Sequence, residues 1–285
     1  MQRIARPRTR RWTTDRLIRF ALAHGSNGRG WTAVAQLHDR GSPALLARIE
    51  ALVRSASARR RAFGLDIAAQ VRAAGHRHDY EREPYALEAT HAMLVAALDE
   101  RNVGVLRSAV MGLSHRPLPD ALPALLAHLG HADSSIRFAL AHALGHYPHA
   151  DAAAALVRLA MDRDDDVRDW ATFSLGTISD ADDDAIRARL WTNAHDPNRD
   201  VRGEALVGLA RRGDPRVIAL LKERLDDDCR VYELEAVEEM PRPELLEPLQ
   251  RLREDADRTR GIDTYWYRHL LEAIDACATM ADAAA

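Results

Sequence analysis

Four ten-residue segments of this chain align without a gap: VLRSAVMGLS from Val105, IRFALAHALG from Ile136, VRDWATFSLG from Val167 and VRGEALVGLA from Val201. Their starts are 31, 31 and 34 residues apart, and a fifth, weaker copy, CRVYELEAVE, begins at Cys229. Self-similarity at this period makes each stretch of about thirty residues one supersecondary unit stacked on its copies. Apolar residues at the first, fifth and ninth places, as in Val167, Ala171 and Leu175, form the single stripe of an amphipathic helix.

Between the copies lie ALPALLAHL (121–129), DAAAALVRLA (151–160), DAIRARLWTNA (184–194), PRVIALLKERL (215–225) and PELLEPLQRL (243–252), with the same apolar spacing. Breaks such as HRPLP, HYPHAD, SDADDD and RRGDP carry the Pro, Gly and Asp of helix ends. Helix pairs therefore recur, and nothing reads as a strand. One pair cannot bury its apolar face alone, so the expected fold is an all-α array with one continuous core. PALLARIEALV and RRAFGLDIAAQV read as a further pair upstream. The expected organisation is a basic arm over 1–11 and a single solenoid over 12–285, with its clearest repeats at 100–240 and a cap at 255–285.

The run DRDDDVRDWATFSLG (162–176) offers two readings, a calcium loop or a turn that opens a helix. Asp162, Asp164 and Asp166 take the first three ligand places of such a loop. The sixth place, however, holds Val167 where glycine is needed, and the twelfth holds Phe173 where Glu is needed. The turn reading is favoured, and the spacing from Asp162 to Arg168 recurs from Asp196 to Arg202.

This pattern, D-x4-[VI]-R-x2-A-x3-L-G, resembles the HEAT repeat, in particular the short bacterial form named after phycobilisome-lyase HEAT-like repeats. The resemblance covers roughly residues 100 to 240 and implies a right-handed α-α superhelical solenoid. It also implies that the Asp closes the turn between paired helices and that the Arg pairs with carboxylates as a ladder. Asp162, Arg168, Asp196, Arg202, Arg137 and Arg230 take those places. His131 stands where the Asp before Arg137 belongs, Leu106 replaces the Arg of the first copy, and Arg224 replaces the Asp of the fifth. In layout the chain also resembles bacterial HEAT-repeat immunity proteins.

In such solenoids the second helix of each pair lines the concave face, with polar residues at its third and seventh places. Here those places include Arg107, Met111, Phe138, His142, Asp169, Phe173 and Val207, an apolar stripe where solvent is expected. Either the stripe is a protein-binding patch, or helix tilt sends Phe138 and Phe173 into the core. Trp170 reads as packing.

Enzyme signatures are weak. No Gly-x-Ser-x-Gly elbow occurs, and GSNGRG (25–30) has no following Lys-Ser or Lys-Thr, so it reads as a connecting loop. His142 and His146, near His128, His131 and His149, invite a zinc reading, but no recognisable ligand set is completed. The di-iron hydroxylase branch of the family uses His-Glu dipeptides, and this chain has none. No catalytic residue, metal or cofactor is therefore expected. Cys229 and Cys277 are the only cysteines, too few for a disulfide framework, which points to a reducing cytoplasm. No apolar run is long enough for a membrane span or a signal peptide. Lys222 is the only lysine among forty basic residues, a mark of GC-rich bacterial coding.

Charge is divided along the chain. Residues 1–61 carry a net +11 and the remainder −14. The acidic repeats would repel nucleic acid and steer a basic protein, and only the arm RIARPRTRR offers phosphates a partner. The expected function is a non-catalytic protein-binding module, a scaffold or adaptor, with an immunity protein that neutralises a basic toxin as its sharper form. The alternatives are a bilin-lyase-like transferase and, more remotely, a HEAT-like nucleic-acid-binding protein or DNA glycosylase. The sequence does not determine the oligomeric state.

Overall fold

A computed structural model describes residues 12–25, 28–73, 83–226, 228–258 and 263–284. The basic arm at 1–11 and most of the segment AAGHRHDYEREP lie outside them. The described residues form helices joined by short turns, with no strand and only two isolated bridges, Gly41 to Ala73 and Arg72 to Pro84. The fold is an all-α solenoid of helix pairs. It divides into two compact units, residues 1–143 and 144–285.

The first unit contains α1 (Thr14–His24), α2 (Arg29–His38), α3 (Pro43–Val53), α4 (Ala58–Gln70), α5 (Leu87–Ala96), α6 (Val103–Ser114) and α7 (Leu122–Leu126). Helix α8 (Ser134–Leu144) ends at the division. The second unit contains α9 (Ala150–Leu159), α10 (Asp165–Phe173), α11 (Asp184–Asn193), α12 (Arg199–Arg211), α13 (Val217–Arg224), α14 (Val231–Glu239), α15 (Leu246–Arg258) and α16 (Thr264–Ala284). The segment read as a helix over 121–129 is regular for only five residues. Beyond Leu126 its bonds shorten to i→i+3, from His128 N to Leu125 O and from Leu129 N to Leu126 O.

The stripe residues make the core. Val105, Ala109 and Leu113 of α6 are buried, as are Val167, Ala171 and Leu175 of the α10 copy and Val201, Ala205 and Leu209 of α12. Polar residues set the helix starts. Ser42 caps α3, Asn102 caps α6, Asp164 caps α10, Asp183 caps α11 and Asn198 caps α12, each accepting from a backbone N–H of the first turn.

The aspartate run is thereby explained without an ion. Asp162 Oδ1 accepts from Asp164 N to close the turn, Asp164 caps the helix, and Asp165 and Asp166 sit in the first turn at the positive end of the dipole. Asp196 Oδ1 accepts from Asn198 N in the same way. His131 does this with its imidazole, Nδ1 accepting from Asp133 N at 3.1 Å. That bond explains how a histidine stands where the pattern calls for Asp.

The arginines face the same turns. Arg137, Arg168 and Arg202 each donate from Nη1 to the carbonyl six residues back, on His131, Asp162 and Asp196 respectively. Arg168 also grips Asp196 with two parallel bonds of 3.0 Å, from Nε to Oδ2 and from Nη2 to Oδ1. Arg61 repeats this arrangement in the first unit, donating to Ser55 O and, bidentately, to Glu100. Arg230 is exposed, and its backbone N–H donates to Glu233.

Two further arginines close helix C-termini. Buried Arg116 donates to Ala68 O and Val71 O at the end of α4. Arg212 reaches Leu175 O, Gly176 O, Ser179 O and Ala181 O, the carbonyls of and just beyond a π turn (Ser174–Ile178) that follows α10. Burial costs a carbonyl its water, and a guanidinium with five donors satisfies several carbonyls at once.

Candidate functional site

The third, fourth and seventh places of the second-unit copies bring acidic and aromatic groups together. Phe173 from α10, Glu204, Val207 and the exposed Arg211 from α12, and Tyr232, Glu235, Glu238 and Glu239 from α14 line one groove, in which four carboxylates outnumber the one guanidinium and which α16 closes with His269. Gly203 shapes it, because a Cβ there would collide with the Tyr232 ring. Tyr232 thus lies against α12, where its hydroxyl donates to Glu204. Trp170 meets Phe173 edge-on, with ring centroids 5.5 Å apart.

The carboxylates are poorly solvated and repel one another. Burial, then Asp169 and Glu235, pushes Glu204 up to about 8, although the Tyr232 bond acts the other way. Burial, then Asp200 and Asp166, raises Asp169 to about 6. Burial also raises Glu235 and Tyr232, the latter with help from Glu204. Glu204 near neutral pH therefore holds a proton that a cation would displace.

Glu204→Gln should accordingly stabilise the protein in alkali. From the ordinary glutamate range up to about 8, the native state keeps a proton that the unfolded chain has lost, so stability falls as pH rises through that window. Glutamine keeps an acceptor for Tyr232 and has no such penalty. Urea unfolding near pH 9 should show the variant ahead by about 1–3 kcal/mol, with the gap closing towards about pH 4. Equal stability at both pH values would refute the buried proton.

His269 is 8% exposed. Its Nδ1 lies 2.8 Å from Glu238 Oε1 and 3.7 Å from Glu272 Oε2, and its Nε2 is buried without a partner among the described residues. These three side chains could offer a metal three ligand atoms within 4.8 Å. Facing a carboxylate, however, Nδ1 carries the hydrogen, and a ligating Nδ1 would leave Nε2–H buried without the acceptor such ligands normally have. The arrangement is better satisfied as a hydrogen-bonded pair that presents Nε2 as an acceptor.

The residues singled out from sequence separate into local groups. Arg107 is exposed and Met111 half-buried in a first-unit groove with Trp31, Phe63 and Asp66. Phe138 and His142 are half-buried on α8. Asp169 and Phe173 are half-buried on α10, whereas Val207, which the stripe places towards solvent, is only 7% exposed and serves as groove floor. Its helix packs backbone to backbone on the π turn at Ser174–Ile178, where Gly208 meets Gly176, and this close approach leaves the neighbouring Val207 little water. Glu204, Tyr232, Glu238 and His269 were not singled out. The first two occupy fourth places of their copies, a signal available in the alignment, whereas His269 lies beyond all five copies.

Paired helices, turn-closing aspartates and inter-repeat arginines define a helical-repeat protein. The family described as HEAT repeats matches residues 92–176 and 162–240. The chain belongs to the HEAT-repeat family. Comparison with curated proteins finds no match. Among solved structures, the Escherichia coli protein YibA is similar in fold at 22% identity and a TM-score of 0.68, covering 98% of this chain and 99% of that one. The CpcE–CpcF complex of phycocyanin lyase from Nostoc is more distant, at 14% identity and a TM-score of 0.48 over 97% and 99% of the two chains. No helix among the described residues is long and apolar enough to cross a membrane.

Proposed function

We propose that this protein is a non-catalytic protein-binding module, a scaffold or adaptor, that captures a positively charged protein on the acidic face of α10, α12, α14 and α16. One observation carries the reading: Glu204 of α12 and Glu235 and Glu238 of α14 are held half-buried around an aromatic and apolar floor, with Asp169 of α10 near enough to act on Glu204. Such a surface steers a basic partner and then buries its side chains. HEAT repeats commonly mediate protein interaction, which supports the same class. Both cysteines are buried with their thiols pushed up, so neither is an activated nucleophile. Neutralising a basic toxin, as an immunity protein does, is the sharper form of this proposal.

Phe173→Glu tests it. Phe173 is half-buried at the groove, so the variant should keep its helical content and melt close to the parent. Capture should weaken by roughly thirtyfold, the loss of a hot spot of about 2 kcal/mol. Affinity purification from the source cells with parent and variant as baits, followed by circular dichroism, reads both quantities. A basic protein held by the parent and lost from the variant supports the face. Unfolding would assign Phe173 to the core, and retention of the same proteins would move the site elsewhere.

A further inference from the structure

We infer that the acidic groove of the second unit accepts the arginine-rich segment Arg3 to Arg11 of a second copy of this chain, so that the protein self-associates. The inference rests on reading this face as a site for a positively charged protein, and it names that protein's chemistry. Two independent features of the groove point to an arginine. Glu204 and Glu235 supply carboxylate oxygens from adjacent helices. His269, only 8% exposed, supplies a buried Nε2 with no partner among the described residues, while its Nδ1 is engaged by Glu238. A simple cation would be satisfied by carboxylates alone. A buried lone pair on a side chain that lines the same groove and acts on Glu235 calls for a cation that also donates N–H bonds, and a guanidinium offers five such donors in a planar fork.

The chain carries a segment of that chemistry. RIARPRTRR has Arg3, Arg6, Arg8, Arg10 and Arg11 within nine residues and no acid, at the head of a 61-residue stretch with a net charge of +11. Arg3 and Arg6, like Arg8 and Arg11, are three residues apart, about 10 Å in an extended chain. Neighbouring packed helices are spaced by about the same distance. Successive arginines can therefore address carboxylates on α12 and α14 together. Entry of a guanidinium beside Glu204 would release the proton held there, so docking should tighten as pH rises towards 8.

Sedimentation velocity of the full chain over a concentration series at low salt tests this inference. The parent should associate. R3Q/R6Q/R8Q/R10Q/R11Q and E204Q/E235Q should each weaken association by about tenfold or more, as should salt near 1 M, where the Debye length falls to about 3 Å. A poly-arginine peptide serves as the separate probe of the face. If it binds the parent but not E204Q/E235Q while the parent stays monomeric, the second-copy occupant is overturned and the basic-partner reading stands. If the peptide fails to bind as well, both fall. Association that survives either set of substitutions also overturns the inference.

Discussion

Gly208→Val should lower the stability of the second unit by about 4 kcal/mol, and Gly208→Ala by about 1–2 kcal/mol. Helix propensity alone predicts the opposite sign for alanine, a gain of roughly 0.5–1 kcal/mol in a helix interior. The contact decides. A Cβ on Gly208 would stand 2.6 Å from Gly176 Cα, and one on Gly176 would stand 3.0 Å from Gly208 Cα. Both neighbours are backbone, so neither can rotate away, and α12 would have to move off the π turn. That movement would also pull Gly208 O and Gly176 O, both bonded by Arg212 Nη1, out of a shared geometry. Denaturant titrations of the two variants measure the effect. A stabilised alanine variant would show that the helices part easily and that the glycine pair is not a fixed contact.

The same pair shows where sequence reasoning reached its limit. The period, the apolar stripe and the turn aspartates are local signals, so helix pairs and their order are readable from residues 105–240 alone. Gly176 and Gly208 are recognisable only as small residues, since their meaning depends on which helix lies opposite. Arg61 is hidden because the turn before it begins at Ser55 rather than at Asp, and its acid, Glu100, stands 39 residues away. Arg116 and Arg212 look like ordinary loop arginines until the carbonyls they cap are in place.

The candidate site was partly legible for a related reason. Third and seventh places give the direction of a face, and they led to Asp169, Phe173 and Val207. How far each side chain stands from water depends on helix separation, which glycines at 203, 176 and 208 reduce. Close approach buries Val207 and brings Glu204 under Tyr232. The face therefore combines Asp169 and Glu235, at third and seventh places, with Glu204 at a fourth place and His269 from α16, and the burial of the last two is not encoded in the periodicity.

Arg168→Ala should cost about 3 kcal/mol, near the lower end for breaking a buried ion pair. Exposed salt bridges are worth less than about 1 kcal/mol, so burial decides which regime applies. The two side chains are 13% and 11% exposed, and the guanidinium makes two bonds to Asp196, one to Asp162 O and one to Asp165. The Asp196 bonds, despite the opposing cost of burial, hold Arg168 in its charged form more firmly than usual. Removing the guanidinium leaves the Asp196 carboxylate without its partner in a site with little water, together with a turn carbonyl that loses its donor. Arg168→Lys keeps the charge but lacks the fork, and should cost roughly half as much. Asp196→Asn in the Arg168→Ala background should recover part of the loss, because it removes the stranded charge while an amide oxygen still accepts from Asn198 N. Urea midpoints of the parent, Arg168→Ala, Asp196→Asn and the double variant close this cycle, with Arg168→Lys measured beside them. If Arg168→Ala and the parent unfold together, the bidentate bond contributes no more than a surface pair, and stacking of the apolar stripes alone holds these repeats in register.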